Sequence, residues 1–170
     1  MPQTCTAKFP ACVTQYFTLR ELTVTSTGLA NQPESPIIIA NLRELAMNIL
    51  HPLFEEFGPR LTINSAYRSA AVNRAVGGSD TSQHLTGQAA DFEVRGMSNY
   101  DLACWVRDNL NHGQLILEHF TPGVHSSGWV HCSFQPVRGQ REEKTKFKNS
   151  RKLHDGILFT EPANIIRKLS

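Results

Sequence analysis

The 170-residue sequence predicts a single α+β domain, and three observations lead to that class. Residues 37–57 hold the clearest helix, with Ile38, Leu42, Leu45, Ile49, Leu50 and Phe54 recurring at helical spacing. Strand-like alternation is concentrated later, in Gln114–Glu118 and Gly128–Phe134. Helices come first and the strands cluster toward the end, the order expected of α+β. The length suits one domain with a real core, and no internal repeat is evident.

Taken in order, residues 1–14 read as irregular, broken by Pro2 and Pro10. Tyr16, Leu19 and Leu22 give a short helical turn, and Thr23 to Pro36 reads as a loop rich in Thr, Ser, Gly, Asn and Pro. Ser35-Pro36 is a helix entry with proline at the first position, and Gly58-Pro59 ends that helix. Pro52 lies inside the pattern and is expected to kink or split it. Leu61–Ile63 reads as a strand leading into Ser65-Ala-Tyr-Arg-Ser69, and a short helix from Ser69 to Val76 closes at Gly77-Gly78. Asp91–Val94 is a strand. Ser98 caps a helix running to about Leu110 that buries Leu102, Trp105 and Val106 and exposes Arg107 and Asp108. Asn111-His112-Gly113 turns the chain into an antiparallel pair, 114–118 with 128–134, around a loop from Thr121 to Ser127. The segment from Arg138 to Lys152 is polar and basic and reads as a solvated face, followed by a last strand in Leu153–Phe159 and a closing turn at Ile165-Ile166. The domain thus spans 1–170, with a motif-bearing core at 15–135 and a basic C-terminal extension at 136–170.

Composition narrows the partners. A net charge of +2 is too small to argue for nucleic acid. No stretch approaches the ~20 apolar residues of a membrane span. The N-terminus lacks a basic flank followed by an apolar run, so no signal peptide is expected. Cysteines 5, 12, 104 and 132 show no CxxC spacing; a Cys5–Cys12 pair stays open, and Cys104 and Cys132 read as buried thiols.

The chemistry gathers between Ser65 and Val94. His84 and Asp91 are separated by an interval that contains Gly87, Ala89 and Ala90 and is too long for one helical face. The spacing suits a loop that presents an imidazole and then turns into a strand carrying the carboxylate. His131, in the alternating run Trp129-Val-His131, is the third candidate ligand. An ordinary hydrogen-bonded core pair is the competing reading of His84 and Asp91, and the small residues around them disfavour it. Two imidazoles, one carboxylate and an open fourth position describe a catalytic metal site, one that suits Zn, Fe, Mn or Co.

At this point the sequence resembles the zinc D-Ala-D-Ala carboxypeptidase and endopeptidase family, peptidase family M15. Its signature Ser-x-His-x-x-Gly-x-Ala-x-Asp is met by Ser82-Gln-His84-Leu-Thr-Gly87-Gln-Ala89-Ala-Asp91, and its later Trp-x-His by Trp129-Val-His131. The resemblance covers roughly residues 15–135. It implies a D-Ala-D-Ala peptidase, Hedgehog-like fold, helices packed on a small antiparallel sheet, and one zinc per chain on His84, Asp91 and His131. Peptide hydrolysis also needs a base that takes a proton from water and passes it to the leaving amine. Many members place it as Glu-x-x-His, where this chain has Gly128; one branch uses the end of the preceding strand, which is Glu118. A solvent-facing strand glutamate is the bland alternative for Glu118, and surface histidines for the candidate helpers His119 and His125. In related enzymes the arginine at the position of Arg68 holds a substrate carboxylate, against a structural ion pair as the alternative. Ser82 and Gln83 are expected to touch substrate, with Tyr67 and Trp129 framing the pocket. The implied substrate is the peptidoglycan stem peptide. Tyr16-Phe-Thr-Leu-Arg-Glu-Leu22 with Ser26-Thr-Gly-Leu-Ala-Asn31 is similar to the opening of phage-borne members. That implies an endolysin or virion-associated lysin, made in the host cytoplasm, with phage virion proteins as partners. A cytoplasmic dipeptidase and a metal-binding structural part of a phage particle are the alternatives.

Overall fold

A computed structural model describes residues 12–135 and 141–162. Six strands form one sheet in the order β1-β2-β4-β3-β5-β6. They are β1 (Leu61–Ser65), β2 (Ala89–Val94), β3 (Gln114–Phe120), β4 (Trp129–Ser133), β5 (Glu142–Phe147) and β6 (Leu153–Asp155). Every pairing is antiparallel except β3 with β5. The helices are α1 (Leu19–Leu22), α2 (Pro36–Leu45), α3 (His51–Phe57), α4 (Ala70–Ala75) and α5 (Asn99–Asn109). The α+β expectation therefore holds, with a sheet that is larger than expected and mixed.

Strand alternation separates the two faces of this sheet. One face carries Ala90, Phe92, Leu115, Leu117, Val130 and Cys132, all without exposed surface, and packs in the main hydrophobic core. The other carries Asp91, Glu93, Gln114, Glu118, Trp129 and His131. Because the side-chain period is two, the polar residues needed on one face cost the core nothing on the other.

At Pro52 the long helix changes its winding and is not split. The helical run from Pro36 to Arg60 is unbroken for 25 residues, and a π-helical turn at Ala46–Leu50 joins α2 to α3. Proline cannot donate to the carbonyl four residues back, and widening the turn just before it absorbs that loss without a break. By length and composition alone this helix could cross a membrane. Its apolar stripe, Leu42, Leu45, Ile49, Leu50 and Leu53, is fully buried in the core, while Arg43, Glu44, Glu55 and Glu56 face solvent. At roughly 2 kcal/mol per buried leucine or isoleucine, that stripe is among the larger contributions to stability.

Two further differences have simple causes. Glu142–Phe147, inside the segment expected to be a solvated basic face, is a strand of the sheet, with Thr145 and Phe147 buried and Glu142 exposed. Its alternation is real but is written in charged residues, which mask the period. Trp105 is half-buried, set edge-on against Phe57 at 5.0 Å between ring centres, and Ala103 takes the buried position beside Leu102 and Val106. Ser98 caps α5 as expected, accepting from the Asp101 N–H. Cys104 is half-buried rather than buried, while Cys132 is fully buried. Cys5, the turn at Ile165-Ile166 and the start of the basic segment lie outside the described residues.

The segment 12–35 is tied to the chain just beyond β1 by Asn31, which is only 4% exposed. Its Nδ2 donates to the carbonyls of Thr23 and Tyr67, both at 2.9 Å, and its Oδ1 accepts from the Ser69 N–H at 2.6 Å. Replacing Asn31 with alanine leaves three backbone groups, two of them in buried contacts, without these partners. The expected cost is about 3 kcal/mol, read from the urea midpoint of Asn31→Ala; a loss below about 1 kcal/mol would contradict this role.

Candidate metal centre

Three elements converge on one point of the open sheet face. His84 sits in a short 3-10 turn, Gln83–Thr86, that ends at Gly87. Gly87 has φ +71°, and a Cβ there would lie 3.0 Å from both the Ile38 carbonyl and the Leu42 side chain, so the turn can lie under α2 only with glycine at this position. Asp91 on β2 and His131 on β4 are direct cross-strand partners. The β2–β4 register therefore brings together candidate ligands 40 residues apart.

The donor atoms form a compact triangle. His84 Nε2 lies 3.2 Å from Asp91 Oδ1 and 3.2 Å from His131 Nδ1, and His131 Nδ1 lies 2.9 Å from Asp91 Oδ1. A tetrahedral ion with ligands at about 2.0–2.1 Å sets its donors about 3.3 Å apart, so the triangle already has the right size. The His84 tautomer fits as well. His84 Nδ1 donates to the Ala66 carbonyl at 2.6 Å, which leaves Nε2 with a free lone pair aimed into the site. A proton can bridge one pair of these atoms; a cation satisfies all three.

Burial sets the electrostatics. His84 and Asp91 are 2% and 5% exposed. Burial pushes the His84 imidazole below its ordinary value, more strongly than the neighbouring Asp91 raises it, so the ring is held neutral. For Asp91, burial alone would raise the carboxyl; contacts with the His131 and His84 imidazoles outweigh it and hold the group far below the usual carboxylate range. The other oxygen, Oδ2, pairs with Arg68 Nη2, and Arg68 Nε donates to Ser65 Oγ at 2.8 Å.

A cavity of about 700 Å³ opens in front of the triangle. Arg68, Ser82, Gln83, Glu118 and Trp129 all line it. Gln83 Oε1 is buried there without a partner among the described residues, an acceptor free for a ligand N–H. Burial raises the Glu118 carboxyl above its ordinary value. His119 lines the cleft stacked on Trp129, whereas His125 is exposed and borders a separate cavity. Tyr67 is 7% exposed, belongs to the core and is absent from the cleft lining, so it supports the wall from behind. Sequence reasoning missed Asn31 and Ser65, which fix the Arg68 segment, and Val76 and Leu153, which add apolar walls to the cleft. Asn31 did stand in the Ser26–Asn31 stretch singled out above, but as an unexplained match.

The absence of a glutamate at 128 has a steric reason. Gly128 has φ +71°, and a Cβ there would stand 1.9 Å from the Glu118 carbonyl oxygen. Strands β3 and β4 approach so closely that no side chain fits, and the same approach places Glu118 in the cleft. Gly128→Ala is expected to cost at least about 2 kcal/mol and to reduce activity with it. Thermal unfolding and turnover of that variant check both, and a wild-type melting temperature would contradict the collision.

No curated protein matches the chain. The family described as Peptidase M15 matches residues 15–133, a span that carries the three donors, Arg68, Glu118 and strands β1 to β4 and stops short of β5 and β6. Matched over well above half its length, with a metal-competent donor set at the centre of the matched region, this chain belongs to the M15 family of peptidases.

Proposed function

We propose that this protein is a zinc-dependent peptidase that hydrolyses peptide bonds in the stem peptides of peptidoglycan. The observation that carries the reading is the donor triangle of His84, Asp91 and His131 set in the same cleft as the partly desolvated Glu118. His84, Asp91 and His131 would hold the metal. When bound, zinc supplies a Lewis acid that polarises a carbonyl and acidifies a water molecule.

The rest of the chemistry falls to the chain's own side chains. Glu118 accepts a proton from the attacking water on a carboxylate oxygen and returns it to the leaving amine nitrogen as the C–N bond breaks. Its burial strengthens it as a base. Arg68 offsets the buried charge of Asp91 and presents the rest of its guanidinium fork to a substrate carboxylate. Ser82 and Gln83 bind the peptide backbone, and Trp129 walls the cleft. The size of the cleft suits a peptide segment better than a closed dipeptide pocket would. The similarity of Tyr16–Asn31 to phage-borne members supports a lysin that meets the wall after lysis or within a virion, and virion proteins are its proposed partners.

Two outcomes test this. Purified protein is expected to hold zinc near one per chain. Chelation is expected to lower its melting temperature and to stop muropeptide release from purified peptidoglycan, both restored by added zinc; activity that survives complete zinc removal would refute the metal's role. Glu118→Gln is expected to retain zinc and lose about 10²–10⁴-fold in kcat, measured by product release; near-wild-type turnover would assign the base elsewhere.

A further inference from the structure

Beside the metal cleft lies a second chamber of about 640 Å³ that none of the chemistry above uses. The two cavities share His119 and Trp129 in their linings. These rings stack at 5.0 Å between centres and 19° between planes, a wall shared by the two spaces. His119 holds this position at φ 51°, and it is the one non-glycine residue with positive φ among the described residues. Backbone held in this region tends to mark functional sites, because the surrounding structure must enforce it.

The second chamber contains Glu93, two residues beyond Asp91 on the same face of β2. Its carboxylate is fixed by two amides: Asn64 Nδ2 donates to Oε2 at 2.8 Å, and Asn99 Nδ2 donates to Oε1 at 3.2 Å. Asn99 is itself 2% exposed and shares its two amide hydrogens among Glu93 and the carbonyls of Ser127 and Gly128, while Asn64 reaches Glu93 from the exposed side of β1. No lysine, arginine or histidine pairs with Glu93 among the described residues. A half-buried carboxylate with spare lone pairs and no cation is an incomplete arrangement. Lys148, the one lysine in the lining, is exposed to water, whereas Glu93 is hydrogen-bonded in place.

We propose that this chamber is a substrate subsite for a primary ammonium group, bound by Glu93 on the far side of the His119–Trp129 wall from the metal. The inference rests on the peptidase reading above and names the feature of the peptide that the enzyme selects. The ammonium can come from the amino terminus of the peptide or from an amino side chain, and both present the same chemistry to the carboxylate.

The test uses zinc-loaded full-length protein and three stem pentapeptides with lysine at the third position: unmodified, acetylated at the amino terminus, and acetylated on the lysine side chain. In the wild type, one of the two acetylations is expected to raise KM about tenfold, the scale of one hydrogen bond to a charged group, and which one does so identifies the source. In Glu93→Gln the same two peptides are expected to converge to within about twofold of each other. Equal sensitivity to acetylation in wild type and Glu93→Gln, with all peptides cleaved, overturns the subsite and leaves the peptidase standing. If no peptide is cleaved, the peptidase reading fails. Calorimetric Kd values on Glu118→Gln with and without Glu93→Gln then decide the subsite: an acetylation penalty that requires Glu93 supports it, and no such penalty, or no binding at all, overturns it.

Discussion

A carboxylate buried in the middle of a β-sheet, Asp91, sets the terms for the rest of the molecule. Unpaired, such a charge would be too costly to keep ionised, and the group would take up a proton. It stays charged because Oδ2 meets the Arg68 guanidinium and Oδ1 meets two imidazoles. Two of these partners, Arg68 and His84, are held in turn. Ser65 orients Arg68, the His84 carbonyl takes the Arg68 N–H, and the Ala66 carbonyl takes the His84 ring N–H. Asn31 clamps the segment from the other side. The segment from Ser65 to Ser69, with Asn31 behind it, is thus built into the support of one oxygen-and-nitrogen triangle.

The sheet makes this compatible with a stable fold. Its alternation allows a dry face of Phe92, Leu115, Leu117 and Val130 to pack in the core while the opposite face keeps its charges and its cleft. Strand pairing supplies the accuracy: Asp91 stands opposite His131 because of register, and Ile116 stands on the other side of His131. Glu118, one pleat further along β3, reaches the same face without a helix or flexible loop to place it. Strands β5 and β6, beyond the region that matches the family, widen the sheet on the β3 side and bring Leu153 to the rim of the cleft.

Much of the site was legible because its constraints are local. The interval between His84 and Asp91 needs a left-handed turn and small residues, and Gly87, Ala89 and Ala90 record that need in the sequence. The capped helix at Ser98 and the buried stripe of the long helix are local in the same way. What escaped was written in pairs distant along the chain or in misleading composition. Asn31 acts on Tyr67 and Ser69, and no short pattern announces that contact. The π-helical turn answers Pro52 by a small change in winding, which periodicity does not resolve. Glu142–Phe147 looked solvated because its outward positions are charged, and Tyr67 looked like a pocket residue because its neighbour Arg68 is one. The steric cause of Gly128 was equally hidden, since it depends on the Glu118 carbonyl across the strand pair.

The central claim is that His84, Asp91 and His131 form the metal's protein ligand set. X-ray absorption on the zinc-loaded protein addresses it directly. The account predicts a first shell of nitrogen and oxygen at about 2.0–2.1 Å, with imidazole back-scattering from two histidines and no sulfur. Sulfur at about 2.3 Å, or a shell without imidazole, would place the metal elsewhere and contradict the account.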